Sequence, residues 1–163
     1  MDEFDLEKYI WTSDEDFAQM GWHDCPIYAV AFPPSNTNEL WLDIDYLFHW
    51  VRPTKQETYF QFWVAPSTLV FENVRNVNFR FEHFLDIEVD SISRDGPVTR
   101  PNPDFVGPNA EWSWLIQCHT GSITLNATGF SQYVRSKPVL NKTSQLGRGN
   151  RIPYSFAQDI EDE

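Results

Sequence analysis

The sequence predicts an all-β protein: an antiparallel β-sandwich or partly open barrel of about eight strands, with a short N-terminal helical turn. Three observations predict it. From Glu39 to Val51 the chain alternates, with Leu40, Leu42, Ile44, Tyr46, Phe48 and Trp50 on one parity and Trp41, Asp43, Asp45, Leu47 and His49 on the other. Alternation over this length argues for a long central strand with one apolar and one mixed face. Neighbouring stretches repeat the two-residue rhythm without intervening helical periods, which disfavours a parallel α/β fold. Aromatic residues make up 16 % of the chain, and they suit pleated surfaces and a bulky interior.

Residues 1–21 form an acidic segment. Ser13-Asp-Glu-Asp-Phe-Ala-Gln-Met20 reads as a helical turn capped by Ser13 and stopped by Gly21. Phe4, Tyr9, Ile10 and Trp11 are too apolar for a free tail, so the segment is expected to dock on the β-body. Ile27–Phe32 is a first strand, and 33–38 a turn rich in Pro, Ser and Asn. After the long strand, Thr58–Ala65 forms a third, ended by Pro66. Thr68–Val74 and Asn76–Phe81 are shorter strands. Phe84–Ser93 alternates Leu85, Ile87 and Val89 inward with Asp86, Glu88 and Asp90 outward. Four prolines make 94–109 a long loop. Ala110–Cys118 and Ile123–Gly129 read as a hairpin around a turn at 119–122, with a continuation through Phe130 and Val134. Residues 135–151 hold five basic residues and no acid, which pair either with the acidic termini or across a dimer contact.

A length of 163 residues suits a single domain, 1–163. The net charge of −12 disfavours nucleic acid, whose phosphates it would repel, and suits a basic partner or simple solubility. No basic-then-apolar leader and no run approaching the ~20 apolar residues of a membrane span is present, so a cytoplasmic, non-membrane protein with free Cys25 and Cys118 is expected.

Few residue patterns carry chemistry. His23-Asp24 precedes a strand rather than lying on a helix, and is expected to tie that strand's start through side-chain to backbone hydrogen bonds. Asp43 and Asp45 share a parity with His49, a spacing that lets carboxylates bridge Mg2+ or Mn2+, or pair with a cross-strand Arg or Lys. Trp41 and Trp63 fall on the parity away from the main core. With one face open they would form an apolar patch edged by Asp43, Asp45 and His49; with both faces covered they are core. Cys118 and His119 are adjacent and so point to opposite sides of an extended chain. No nucleophile elbow, phosphate-cradling loop or paired Cys-x-x-Cys occurs, so no catalytic residue, metal centre or cofactor is assigned.

The strings Gly21-Trp-His-Asp-Cys-Pro-Ile-Tyr28, Leu42-Asp-Ile-Asp-Tyr46, Trp63-Val-Ala-Pro-Ser-Thr-Leu-Val-Phe-Glu-Asn-Val74 and Ala127-Thr-Gly-Phe-Ser-Gln132 resemble a small bacterial all-β family of uncharacterised proteins with a Trp-His-Asp opening motif. More distantly, the chain is similar to immunity proteins of bacterial polymorphic-toxin systems. That resemblance implies a cytoplasmic antidote that binds and blocks a toxin domain, with no catalytic residues.

The first expectation is therefore a non-enzymatic acidic domain that binds a basic protein, steered by Asp86, Glu88, Asp90 and the N-terminal acids. A second is a small-ligand or carbohydrate-binding module using Trp41 and Trp63 beside Asp43, Asp45 and His49. A third is a metal-dependent hydrolase at the same acids.

Overall fold

Strands account for just over half of the residues described in the computed structural model, which are 5–33, 37–100, 110–147, 151 and 154–161. Ten strands occur among them: β1 (Ile10–Thr12), β2 (Ile27–Ala31), β3 (Leu40–Val51), β4 (Gln61–Glu72), β5 (Arg75–Phe81), β6 (Val89–Thr99), β7 (Ala110–Cys118), β8 (Gly121–Ala127), β9 (Gly129–Val134) and β10 (Val139–Asn141). They make two antiparallel sheets. One runs β1-β9-β4-β3-β2, with β10 beside the first residues of β4; the other runs β5-β8-β7-β6. The fold is a β-sandwich.

The even-numbered residues of β3 as far as Tyr46 enter the space between the sheets, as their alternation requires. Leu42, Ile44 and Tyr46 meet Phe71, Phe130 and Trp22 from their own layer, and Trp114, Ile116, Ile123 and Leu125 from the other. The Trp114 and Phe130 rings lie 5.5 Å apart, and Phe71 sits 5.4 Å from Trp114. The tilted and edge-on arrangements of these rings are those their quadrupoles favour. Trp22, too, is inside, and its Nε1 donates to the buried Gln132 Oε1 at 2.9 Å.

Two corners join the layers. At one, the β4–β5 and β8–β9 ribbon passes from the first sheet to the second around Asn73, whose φ is 54°. Thr128 N–H donates to Glu72 O at 3.0 Å, and Asn73 Nδ2 donates to Thr128 Oγ1 at 2.8 Å. Such bends let one ribbon serve both layers. At the other corner the approach to β2 crosses to the start of β6. Asp24 N–H donates to Val89 O and Ile27 N–H to Ile87 O, both at 2.8 Å.

Pro66 does not end a strand. It lies within β4 opposite Asp45, on a strand flanked on both sides. Asp45 N–H points away to Pro26 O, so Pro66 directs its nitrogen and carbonyl toward the other flank. There β9 stops at Val134 and β10 begins at Val139. Arg135 N–H donates to Pro66 O at 2.9 Å, and the Arg135 carbonyl, which an ordinary residue at 66 would have satisfied, accepts Glu161 N–H at 2.6 Å. The missing donor is thus confined to a partner change.

Other expectations are corrected. The helical turn is a 3-10 turn at Phe17–Gln19, and Ser13 does not cap it: the Ser13 Oγ accepts Phe130 N–H at 3.0 Å. The expected strand 84–93 starts only at Val89, because Asp86 has φ 49° and turns the chain, leaving Leu85 exposed. Of the expected loop 94–109, residues 94–99 belong to β6, which accommodates Pro97 with a register shift between Asp95 and Val98. Residues 101–109 lie outside the described residues.

Candidate functional site

The corner between β2 and β6 gathers two imidazoles and three carboxylates. Gly21 to Pro26 makes a tight turn in which Cys25 N–H donates to Trp22 O at 2.9 Å, and Asp24 takes φ 63°. The turn sends Cys25 inward and leaves His23 and Asp24 facing solvent. The β7–β8 hairpin delivers His119 to the same place, with its N–H donating to Glu88 O at 3.0 Å. His23 Nε2 lies 3.6 Å and His119 Nε2 3.7 Å from the same oxygen, Asp24 Oδ1. The opposite ring nitrogens face other acceptors. His23 Nδ1 is 3.3 Å from both the carbonyl and the carboxylate of Asp90, and His119 Nδ1 is 3.5 Å from Glu88 Oε2. The Trp50 ring stacks on His23 at 5.9 Å and 17°.

Asp43 and Asp45 are elsewhere and fully buried. The outer face of β3 is covered by Arg135, Leu146, Arg151, Ser155 and Phe156. Asp43 accepts from Arg135 Nη2 at 2.7 Å, from Arg151, and from Ser155 N–H at 3.2 Å. Asp45 accepts Tyr28 O–H at 2.7 Å and Leu146 N–H at 2.8 Å. Burial is the largest influence on Asp45 and raises its pKa, against the opposing Arg151 charge and these two hydrogen bonds. Two of the five residues of the basic run are thereby accounted for within the chain: Arg135 faces Asp43, Arg151 faces Asp43 and Asp45, and Arg135 also lies 3.7 Å from Glu161. Two guanidinium groups stand where a bridging cation would.

A bulge separates His49 from that pair. Leu47 faces Val64 but His49 faces Trp63, so Phe48 is an inserted residue and His49 leaves the face of Asp43 and Asp45. The same register puts Trp41 opposite Val70 and Trp63 on the parity of Ala65, Leu69 and Phe71. Trp41 and Trp63 therefore belong to opposite faces of the sheet. Both are half-buried, Trp41 beside Phe156 at 6.3 Å. A flat two-tryptophan platform for a sugar does not form.

An apolar groove of about 390 Å³ opens between β2 and the end of the second sheet, lined among others by Val30, Phe79, Phe84, Ile87 and Tyr154, with Asp86 in its wall. Phe84 and Tyr154 are 80 % and 67 % exposed, unusual values for large rings beside a cavity. Beyond Ile27, β2 pairs with no described strand on its outer side.

No protein-family model, curated protein or solved structure matches the chain. Among the described residues, no helix is long and apolar enough to cross a membrane.

Of the acids on residues 86–90, only Asp86 and Asp90 are exposed, while Glu88 is half-buried against His119. His23 does make the expected backbone contact, at the Asp90 carbonyl. In the sequence His119 stood out only as the neighbour of Cys118 at the head of a turn, with nothing to link it to His23. It reaches His23 only through a bridge between layers, and no local spacing encodes that meeting.

Proposed function

We propose that this chain is a non-enzymatic, acidic protein-binding domain of the cytoplasm that engages a basic partner. The observation that carries the reading is the exposed apolar groove beside the outer edge of β2, which beyond Ile27 pairs with no described strand. A soluble domain seldom leaves several large apolar side chains open beside an unpaired strand unless another chain covers them. The edge offers backbone donors and acceptors to an added strand, and the groove offers pockets for its side chains.

Charge supports the same reading. Arg100, Arg135 and Arg151 are held inside against Glu111, Asp43 and Asp45, three cations against three acids, so the excess of −12 remains on the rest of the chain. A field of that sign speeds encounter with a basic protein. The resemblance to toxin-immunity proteins gives the specific form: the partner is a toxin domain, and covering it is the function.

The test is binding to the product of the neighbouring gene, followed calorimetrically as salt is raised. The expected outcome is a complex weakened at least about tenfold by salt and again by Phe84→Asp in the groove. Absence of a complex, or one indifferent to both changes, overturns the reading.

A further inference from the structure

We propose that His23, Asp24 and His119 bind one divalent transition-metal ion, with zinc the best match to the ligand set. One ligand atom from each residue lies within 4.8 Å of the other two. Two imidazole nitrogens and one carboxylate oxygen are borderline ligands suited to Zn2+, and also to Co2+ or Ni2+, rather than to Mg2+ or Ca2+.

The distances separate a metal site from a simple charge pairing. Hydrogen bonds from either Nε2 to Asp24 Oδ1 would need a separation near 2.9 Å. The observed 3.6 and 3.7 Å are too long for that. A tetrahedral ion with bonds of about 2.1 Å holds its ligand atoms about 3.4 Å apart, within a few tenths of an ångström of these two separations, and the third pair lies within 4.8 Å.

The surroundings are those of a supported site. Each histidine has its Nδ1 turned to an acceptor, Asp90 for His23 and Glu88 for His119. An ion bound at both Nε2 atoms would leave the Nδ1 protons facing these acceptors. Stacking on Trp50 fixes the His23 ring, and backbone bonds hold Asp24 in a left-handed conformation that an L-residue seldom adopts. Asp24, Glu88 and Asp90 bring three carboxyl groups to the corner, an environment that favours a divalent cation. Three protein ligands leave a fourth position open. The side chains of His23 and His119 are 58 % and 41 % exposed, so water or a group from another molecule can fill it.

The experiment is titration of chelator-stripped protein with Co2+, read by visible absorption, and with Zn2+, read by calorimetry. One ion per chain is expected, with a tetrahedral Co2+ spectrum that Zn2+ abolishes. His23→Gln and His119→Gln should each weaken Zn2+ binding by at least about a hundredfold, and Glu88→Gln or Asp90→Asn by about tenfold through loss of orientation. These side chains are on the surface, so the variants should fold; unchanged melting in chelator checks this. Asp24→Asn, which tolerates the same backbone conformation, tests the carboxylate. His49→Gln and His83→Gln should bind as the parent does. No saturable binding, or binding that survives the His23→Gln/His119→Gln double variant, overturns the proposal.

Discussion

Arg135 Nη2 meets Asp43 Oδ1 at 2.7 Å across 92 positions of sequence, with both side chains almost wholly removed from solvent. Removing one member of such a pair leaves the other charge buried and uncompensated. Asp43→Asn removes the carboxylate shared by two buried guanidinium groups and should cost about 3–5 kcal/mol in urea unfolding. Arg135→Met should cost less, because Arg151 still faces Asp43.

Asp45 and Glu111 should respond to pH with opposite signs. Burial raises the Asp45 pKa, so its contribution is full at acid pH and is lost as pH rises through the folded value. Any stability deficit of Asp45→Asn against the parent should therefore narrow between acid and neutral pH. The hydrogen bonds from Arg75 are the main reason that the Glu111 pKa is lowered. Its contribution is present above the ordinary glutamate range and lost below it, so the deficit of Glu111→Gln should shrink as pH falls. Chemical denaturation across that span measures both.

Neither thiol should react in the folded protein. Burial pushes Cys25 far above the ordinary thiol range, with partial relief from Leu47 N–H, and pushes Cys118 to about 11. Ellman's reagent at neutral pH should label neither until denaturant is added, then both.

Gly121→Ala should break the pairing of β5 with β8. A Cβ there would fall 2.1 Å from Arg80 O and 2.7 Å from Phe81 Cα, and backbone cannot yield cheaply. A loss of about 1–3 kcal/mol is expected, with faster amide exchange along β5 as its signature. Gly147→Ala, where no atom lies within 4 Å, is the matched control.

The fold was legible in the sequence because alternation in β3, in β5 and in the β7–β8 hairpin reports directly on faces. What escaped was whatever reverses or shifts that rhythm. The bulge at Phe48 moved His49 off the face of Asp45, and the left-handed Asp86 ended the rhythm that began at Phe84. Pro66 read as a breaker because its missing donor is normally costly, and only the gap between β9 and β10 removes the cost. The cluster around Asp24 was half visible. His23, Asp24, Glu88 and Asp90 stood out by type, but their meeting with His119 depends on a bridge between layers.

The cover over β3 has a consequence for synthesis. The carboxylates of Asp43 and Asp45 are made long before the residues that cover them, the last of which follow Asp43 by 112 positions at Ser155. At ordinary translation speed the nascent β3 waits ~5–20 s with that face bare. Two ionised groups on an otherwise sticky ribbon act as gatekeepers during this interval, keeping newly made strands from fusing edge to edge. An apolar replacement of the Asp43–Arg135 pair that matched the finished protein in stability would therefore be expected to lower soluble yield.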